Sequence, residues 1–225
     1  RYGGWIDRFL PGADDHPVHG GLIPGRVTDD TEQAFALAQS IVEDGGVTLD
    51  GAVRAVLRWY DSVGGEACPY IGPSTRRAVG QLLAGADPRE SGLRGDTNGA
   101  SMRVSVVGMI HPGDAEAAAR DAATQAIPTH NTDIAMAGAA AVAGAVAAAL
   151  RPGAQLDDLL RAGVAAAEIG QTLGPPYMGA SVARRIELAV AIARELSDPR
   201  ARIQKLYDIV GSTLARAMSQ LCGPS

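Results

Sequence analysis

The chain has 225 residues, enough to bury a hydrophobic core, and with 46% hydrophobic and 20% charged residues its composition is that of a folded protein. The formal net charge of -5 disfavours non-specific binding to nucleic acid and anchoring on anionic lipid, because both need a basic surface. Aromatic residues make up only 4%, and alanine supplies much of the apolar content, a composition typical of closely packed helices.

The spacing of apolar residues predicts an all-α chain of roughly eight helices after a loop-like start over residues 1–26. The predicted helices cover residues 31–43, 49–63, 75–84, 115–126, 134–150, 156–169, 181–196 and 202–218. Residues 87–111 are rich in Gly and polar residues and become apolar over 104–110, which favours an ordered loop followed by a short buried helix or strand.

The segment 134–150 is Ala-rich and is predicted to be the central helix of the fold. Small residues recur in it at three-residue steps, at Gly138, Ala141 and Gly144, and they would let neighbouring helices approach closely. Asn131 or Thr132 is a candidate N-cap. The segment is weakly hydrophobic and slightly short for a membrane span, which needs about 18 apolar residues, so we expect a buried helix.

Two cysteines, Cys68 and Cys222, do not form a disulfide framework, which favours a reducing compartment. No charged-then-apolar signal segment opens the sequence. We therefore expect a cytoplasmic protein with neither a nucleic-acid nor a membrane partner.

The segment TDDTEQ, residues 28–33, admits two interpretations. Asp29 and Asp30 are good helix caps, and Glu32 and Gln33 follow them at the three-residue spacing of a capping box. However, a cap needs one carboxylate, whereas adjacent carboxylates beside the hydroxyl of Thr28 are also suitable ligands for a hard cation such as Mg²⁺. Local sequence alone favours the cap.

Two further segments carry candidate site residues. The loop GDTNGASMR, residues 95–103, could expose backbone N–H groups to phosphate or ribose oxygens, and Arg103 could pair with a phosphate or with a core carboxylate. His130 precedes the Ala-rich helix and could be a cap, a packing residue or a site residue. The remaining histidines show no zinc spacing.

Taken together, these segments resemble the ADP-ribosylglycohydrolase family, which includes enzymes that remove ADP-ribose from modified dinitrogenase reductase. The resemblance covers nearly the whole chain. It rests on RYGGWIDRFLPGADDHPV, GRVTDDTEQAFALA, GPSTRRAV, TNGASMRVSVVGMI and THNTDIAMAGAAAVAGAVAA, in this order.

The resemblance implies an all-α fold with a cleft that holds a binuclear Mg²⁺ or Mn²⁺ centre and hydrolyses a glycosidic bond at the ribose anomeric carbon. It assigns metal binding to Thr28, Asp29 and Asp30. It assigns contact with ADP-ribose to Asn98, Gly99, Met102, Arg103 and His130. The implied partner is an ADP-ribosylated protein or small molecule, and the catalytic base is unassigned.

The chain departs from the family pattern at both ends. We expect residues 1–225 to form one domain that lacks the family's N-terminal start and its late acidic motif, because the resemblance fades after LYDIVGSTLA. Two alternatives to ADP-ribosyl hydrolysis stay open. The chain could be a divergent, inactive member that binds a nucleotide or partner, or a hydrolase of a small N-glycoside or nucleoside.

Overall fold

The structure is a computed structural model that describes residues 8–16 and 20–210, and these two ranges contain helices but no β-strand. In chain order the α-helices are α1 Asp29–Asp44, α2 Leu49–Ser62, α3 Pro73–Leu83, α4 Pro88–Ser91, α5 Ser105–Met109, α6 Ala115–His130, α7 Asp133–Ala149, α8 Leu156–Leu173, α9 Val182–Glu195 and α10 Pro199–Val210. The predicted all-α fold is confirmed. His19, Cys222 and the predicted helix beyond residue 210 lie outside the described residues.

The Ala-rich helix α7 lies at the centre, packed mainly against α8 and α6, as its composition predicts. Its small residues allow this close packing. Gly144 contacts the Cβ of Ala166 in α8, and Gly170 of α8 lies against Met136 and Ala140 of α7. Any side chain at these glycines would push the two helices apart.

Helices α1 to α3 lie beside this centre. Leu37 and Ile41 of α1 join the main core, while Trp59 of α2 belongs to a second buried cluster that extends to Val79 of α3. The amphipathic pattern of α1 therefore buries one stripe and exposes the other, where Phe35 is 73% exposed. No helix in the described ranges is both long and apolar enough to cross a membrane.

Several helix boundaries differ from the prediction, and those next to the candidate site residues matter most. Helix α1 begins at Asp29, two residues earlier than expected, and the undecided segment 104–110 contains the short helix α5. Helix α6 continues past Ala126, with Pro128 inside it. The hydroxyl of Ser91 donates to the carbonyl of Pro128 over 2.7 Å, so tertiary contact stabilises a turn that the proline made improbable locally.

His130 precedes the Ala-rich helix α7, as predicted, but it does not cap that helix. His130 is the last residue of α6 and does not belong to the start of α7. Asn131 ends α6, and Thr132 is the N-cap of α7, where its hydroxyl accepts from the N–H of Ala135 at 3.3 Å. The same hydroxyl donates to the carbonyl of Gly95 at 2.7 Å and so fixes the Gly-rich loop to this junction.

Candidate functional site

The predicted capping box at the start of α1 is wrong. Thr28 is the N-cap residue, and its side chain makes no capping hydrogen bond. Glu32 instead accepts from the indole of Trp59 at 3.1 Å and from the phenol of Tyr70 at 3.2 Å. Gln33 accepts from Arg103 at 2.8 Å. Both residues of the apparent box are thus used by tertiary contacts.

Asp29 and Asp30 are the first two residues of α1, so the dipole of the helix favours their negative charge. Asp29 is half-buried, and burial raises the pKa of its carboxyl; the neighbouring charge of Asp30 adds to this rise, and a hydrogen bond with Thr28 opposes it. Neither carboxylate forms an ion pair with any of the described residues. The three predicted metal ligands are therefore adjacent and carry oxygen donors of the kind Mg²⁺ takes.

The predicted centre with two ions needs more ligands than this pair. Within residues 8–16 and 20–210, no three His, Cys, Asp or Glu side chains lie close enough to share a metal ion. Thr28, Asp29 and Asp30 suit one ion that completes its shell with water or substrate oxygens. The second acidic segment, expected from the family pattern, was not found in the sequence.

The Gly-rich loop between α4 and α5 is held from both sides. On its outer side, the guanidinium of Arg77 donates to the carbonyl of Arg94 at 2.7 Å. On its inner side, Thr97 and the ring of His130 are 3.0 Å apart between Oγ1 and Nε2. The intervening Asp96 is exposed, as is Asn98, the first residue of the 3-10 turn Asn98–Ala100. The loop thus alternates anchored residues with exposed polar ones.

Gly99 is a positioning element of this loop and not simply a flexible residue. Its Cα faces the imidazole of His130, so that a Cβ at this position would lie 2.7 Å from Nε2. Only glycine permits this approach, and it brings the backbone of the loop onto the ring. Met102, also predicted to contact substrate, is half-buried one turn further along.

His130 is completely buried, with 0% of its surface exposed. Both ring nitrogens have partners, because Nδ1 lies 2.8 Å from the hydroxyl of Thr129 and Nε2 faces Thr97. Burial lowers the pKa of the imidazole to about 3, and the positive charges of Arg103 and Arg77 contribute to the fall. The ring is therefore neutral at physiological pH and its contact with substrate stays a prediction.

Arg103 lies in the core with 2% of its surface exposed, and it forms no ion pair with a carboxylate of the described residues. Its guanidinium donates to the side-chain oxygens of Gln33 and Gln125, to the backbone carbonyl of Gln125 and to the hydroxyl of Thr129, over 2.7 to 3.1 Å. Burial lowers its pKa to about 10, so the group stays charged at neutral pH. Pairing with a core carboxylate, one of the two predicted alternatives, is therefore wrong, while pairing with a phosphate and contact with substrate stay predictions.

The hydrogen bonds join five side chains into one continuous polar chain, which runs from Gln33 through Arg103, Thr129 and His130 to Thr97. It links the first turns of α1 with the Gly-rich loop. No hydrogen bond of the described residues links Asp29 or Asp30 to this chain.

Sequence reasoning missed three of the residues that hold the site together. Thr97 and Thr129 precede Asn98 and His130 and carry no periodic signal of their own. Gln125 had a usable signal, because it lies on the same helical face as Ala118 and Ala122, where a polar residue needs a buried partner. A groove of about 920 Å³ between α1 and α2, lined in part by Phe35 and Trp59, includes none of the predicted site residues.

The sequence profile described as ADP-ribosylglycohydrolase matches residues 3–222. The chain belongs to the ADP-ribosylglycohydrolase family. The all-α fold of the described residues is consistent with this family.

Three proteins to which the chain is similar are longer, and the chain spans no more than about two thirds of their length. An uncharacterized protein of Escherichia coli, YegU, is 31% identical over 221 residues, which cover 97% of the chain and 66% of YegU. An uncharacterized protein of Archaeoglobus fulgidus is 34% identical over 144 residues, covering 64% of the chain and 45% of that protein. The ADP-ribosylarginine hydrolase Tri1 of Pseudomonas putida is 33% identical over 142 residues, covering 56% of the chain and 37% of Tri1.

Proposed function

We propose that the protein hydrolyses an ADP-ribosyl N- or O-glycosidic bond and that Mg²⁺ or Mn²⁺ supports the reaction. The family is hydrolytic, and one relative bears the name ADP-ribosylarginine hydrolase, which supports ADP-ribosyl-arginine as the first substrate to test. The ADP-ribosylated molecule would be a protein or a small molecule.

The observation that carries the proposal is the state of Asp29 and Asp30. Capping of α1 does not account for the two aspartates, because neither is the N-cap residue. Glu32 and Gln33, the other residues of the predicted capping box, form tertiary hydrogen bonds instead. Two adjacent carboxylates, one of them half-buried, remain beside a threonine hydroxyl without a cationic partner among the described residues. A divalent cation would relieve their mutual repulsion.

Thr28, Asp29 and Asp30 would hold such an ion, which when bound supplies Lewis-acid stabilisation and a water of lowered pKa. The protein itself would hold the two carboxylates and the substrate in place and would supply the negative charge that binds the ion. The start of α1 fixes the carboxylates on a helix that Gln33 ties to Arg103, and the Gly-rich loop presents Asn98 outward. Holding the substrate in one orientation lowers the barrier by reducing the entropy lost in the reaction.

The test is an assay of the purified chain with ADP-ribosyl-arginine in the presence of Mg²⁺, Mn²⁺ or EDTA. We expect release of ADP-ribose with either metal and none with EDTA. The absence of release with both metals, from protein that is folded by circular dichroism, would refute the proposed activity. A parallel assay with nucleosides would detect hydrolysis of a small N-glycoside.

One observation favours a second candidate, a family member that binds the nucleotide without turning it over. Among the described residues no third His, Cys, Asp or Glu side chain joins Asp29 and Asp30, whereas a binuclear site needs more ligands than this pair. Calorimetry with ADP-ribose separates the two. Binding that is independent of metal and accompanied by no turnover supports the second candidate, whereas turnover excludes it.

A further inference from the structure

We propose that His130 is a positioning residue that acts through Thr97. Its Nε2–H donates to Thr97 Oγ1, and this leaves the hydroxyl hydrogen of Thr97 to donate to an anionic oxygen of the substrate. The inference rests on the proposed function, because it takes a phosphate of ADP-ribose as the acceptor. It adds Thr97, a residue that motif resemblance did not single out, to the substrate site.

The donor and acceptor roles along the polar chain follow from the single hydrogen of the Thr129 hydroxyl. Its hydroxyl has one hydrogen and accepts from the Arg103 guanidinium, which has no acceptor capacity, over 2.9 Å. Within the described structure its only other side-chain partner is Nδ1 of His130, 2.8 Å away. If Nδ1 carried the ring proton, the Thr129 hydrogen would be buried without an acceptor, which is unfavourable. Thr129 therefore donates to Nδ1.

The ring proton must then lie on Nε2, because a neutral imidazole carries one. Nε2 faces Thr97 Oγ1 at 3.0 Å, so the ring donates and Thr97 accepts. The ring cannot swing away from this bond, since it is fully buried and Gly99 lies against it. Burial lowers the pKa of the imidazole, which agrees with a ring that stays neutral near neutral pH.

Thr97 is the point where the polar chain leaves the core. It is half-buried between the exposed Asp96 and Asn98, and its hydroxyl hydrogen has no acceptor among the described residues. A half-buried donor without a protein acceptor suits an acceptor-rich ligand. The buried charge of Arg103 polarises the same chain from its inner end and makes an anionic acceptor more favourable than a neutral one. A phosphate oxygen of ADP-ribose satisfies both conditions.

The first measurement is ¹⁵N NMR of the full chain labelled at histidine, with the His130→Gln variant used to assign the signal. We expect the pattern of an Nε2–H imidazole, unchanged between about pH 8 and pH 5. An Nδ1–H pattern, or titration near the ordinary value of about 6.5, would overturn the inference. This readout needs neither ligand nor activity.

The second measurement is calorimetry of ADP-ribose binding with a matched pair of variants. Thr97→Val keeps the shape of the side chain and removes the hydroxyl, so we expect about tenfold weaker binding. Thr97→Ser keeps the hydroxyl and should bind within about twofold of the wild type. Wild-type affinity in Thr97→Val would overturn the inference.

A double-mutant cycle tests whether His130 acts through Thr97. His130→Gln should weaken binding in the wild-type background and have little further effect in Thr97→Val. Full additivity of the two changes would contradict a positioning role. If the wild-type chain binds no ADP-ribose, the proposed function and the ligand part of the inference both fail, while the NMR result still decides the direction of the hydrogen bond.

Discussion

At the scale of single residues, Arg103 is a buried cation whose hydrogen-bond acceptors in the described structure are all neutral. Taking a guanidinium out of water is costly, and the fall of its pKa to about 10 reflects that cost. Several amide and hydroxyl acceptors offset it by meeting the geometry of the guanidinium. Loss of any one acceptor would leave a buried donor unpaired.

Asp29 and Asp30 give a prediction at the same scale. Changing either to Asn should abolish Mn²⁺ binding, because the site then loses a charged oxygen ligand. The free energy of unfolding should change by no more than about 1 kcal/mol, since neither carboxylate caps α1 and Asn keeps the shape of Asp. Calorimetric titration with Mn²⁺ and urea unfolding measure the two quantities.

Asp50→Asn is the control for that experiment, because Asp50 occupies the same second position of its helix, α2. It should leave Mn²⁺ binding intact and change stability to a similar small extent. Unaltered Mn²⁺ affinity in both Asp29→Asn and Asp30→Asn would contradict the metal assignment.

The predicted capping box is wrong because the observed partners of its residues are distant in sequence. Glu32 and Gln33 have the right local spacing, but Trp59, Tyr70 and Arg103 lie 27, 38 and 70 residues away in sequence. A local pattern cannot register partners that only the folded chain brings close. The same limit hid Thr97, whose importance depends on a histidine 33 residues later.

At the scale of elements, the contact between α7 and α8 depends on glycine where the helices cross. A Cβ at Gly170 would lie 2.6 Å from the Cβ of Ala140 and 2.7 Å from the carbonyl oxygen of Met136. Gly170→Ala should therefore lower the free energy of unfolding by about 1–2 kcal/mol, because overpacking outweighs the gain in helix propensity. Urea unfolding followed by circular dichroism measures it.

Gly80→Ala is the matched comparison, since Gly80 also lies inside a helix, α3, but has open space where a Cβ would be. It should raise the free energy of unfolding by about 0.5–1 kcal/mol through helix propensity alone. If both changes were stabilising, close packing at the α7–α8 crossing would not limit stability.

Elements were the part of the fold that sequence predicted best. Long amphipathic or Ala-rich segments such as α2 and α7 carry a periodic signal that packing later uses, so their type and place follow directly. The C-terminal end of α6 did not, because Pro128 is a local argument for stopping and its carbonyl is held by a serine 37 residues earlier. Cytoplasmic location and metal identity stay predictions.

At the scale of the whole molecule, His130 predicts how stability depends on pH. The folded chain holds its pKa at about 3, whereas the unfolded chain has the ordinary value of about 6.5. As pH falls below about 6.5, the unfolded chain takes up a proton that the folded chain refuses. The free energy of unfolding should therefore fall by about 2 kcal/mol between pH 7 and pH 5, and this loss should continue until about pH 3.

Comparison of the wild type with His130→Gln isolates the contribution of His130 to the pH dependence of the free energy of unfolding. Asp29 acts in the opposite direction, because its raised pKa makes the folded chain bind a proton first, and it is present in both proteins. Urea unfolding at pH 7 and pH 5 should show the wild type losing about 2 kcal/mol more than the variant. Equal losses would mean that the imidazole is protonated in the folded state.

The position of Arg103 also has a consequence for the order in which the chain folds. Its acceptors come from α1 and α6, and about ninety residues of sequence separate Gln33 from Gln125. A partly assembled set of acceptors would leave the cation desolvated without compensation. Folding intermediates in which only one of these two helices is docked are therefore unfavourable. The two helices should dock late and together, so that a single charged side chain makes folding of this half of the molecule cooperative.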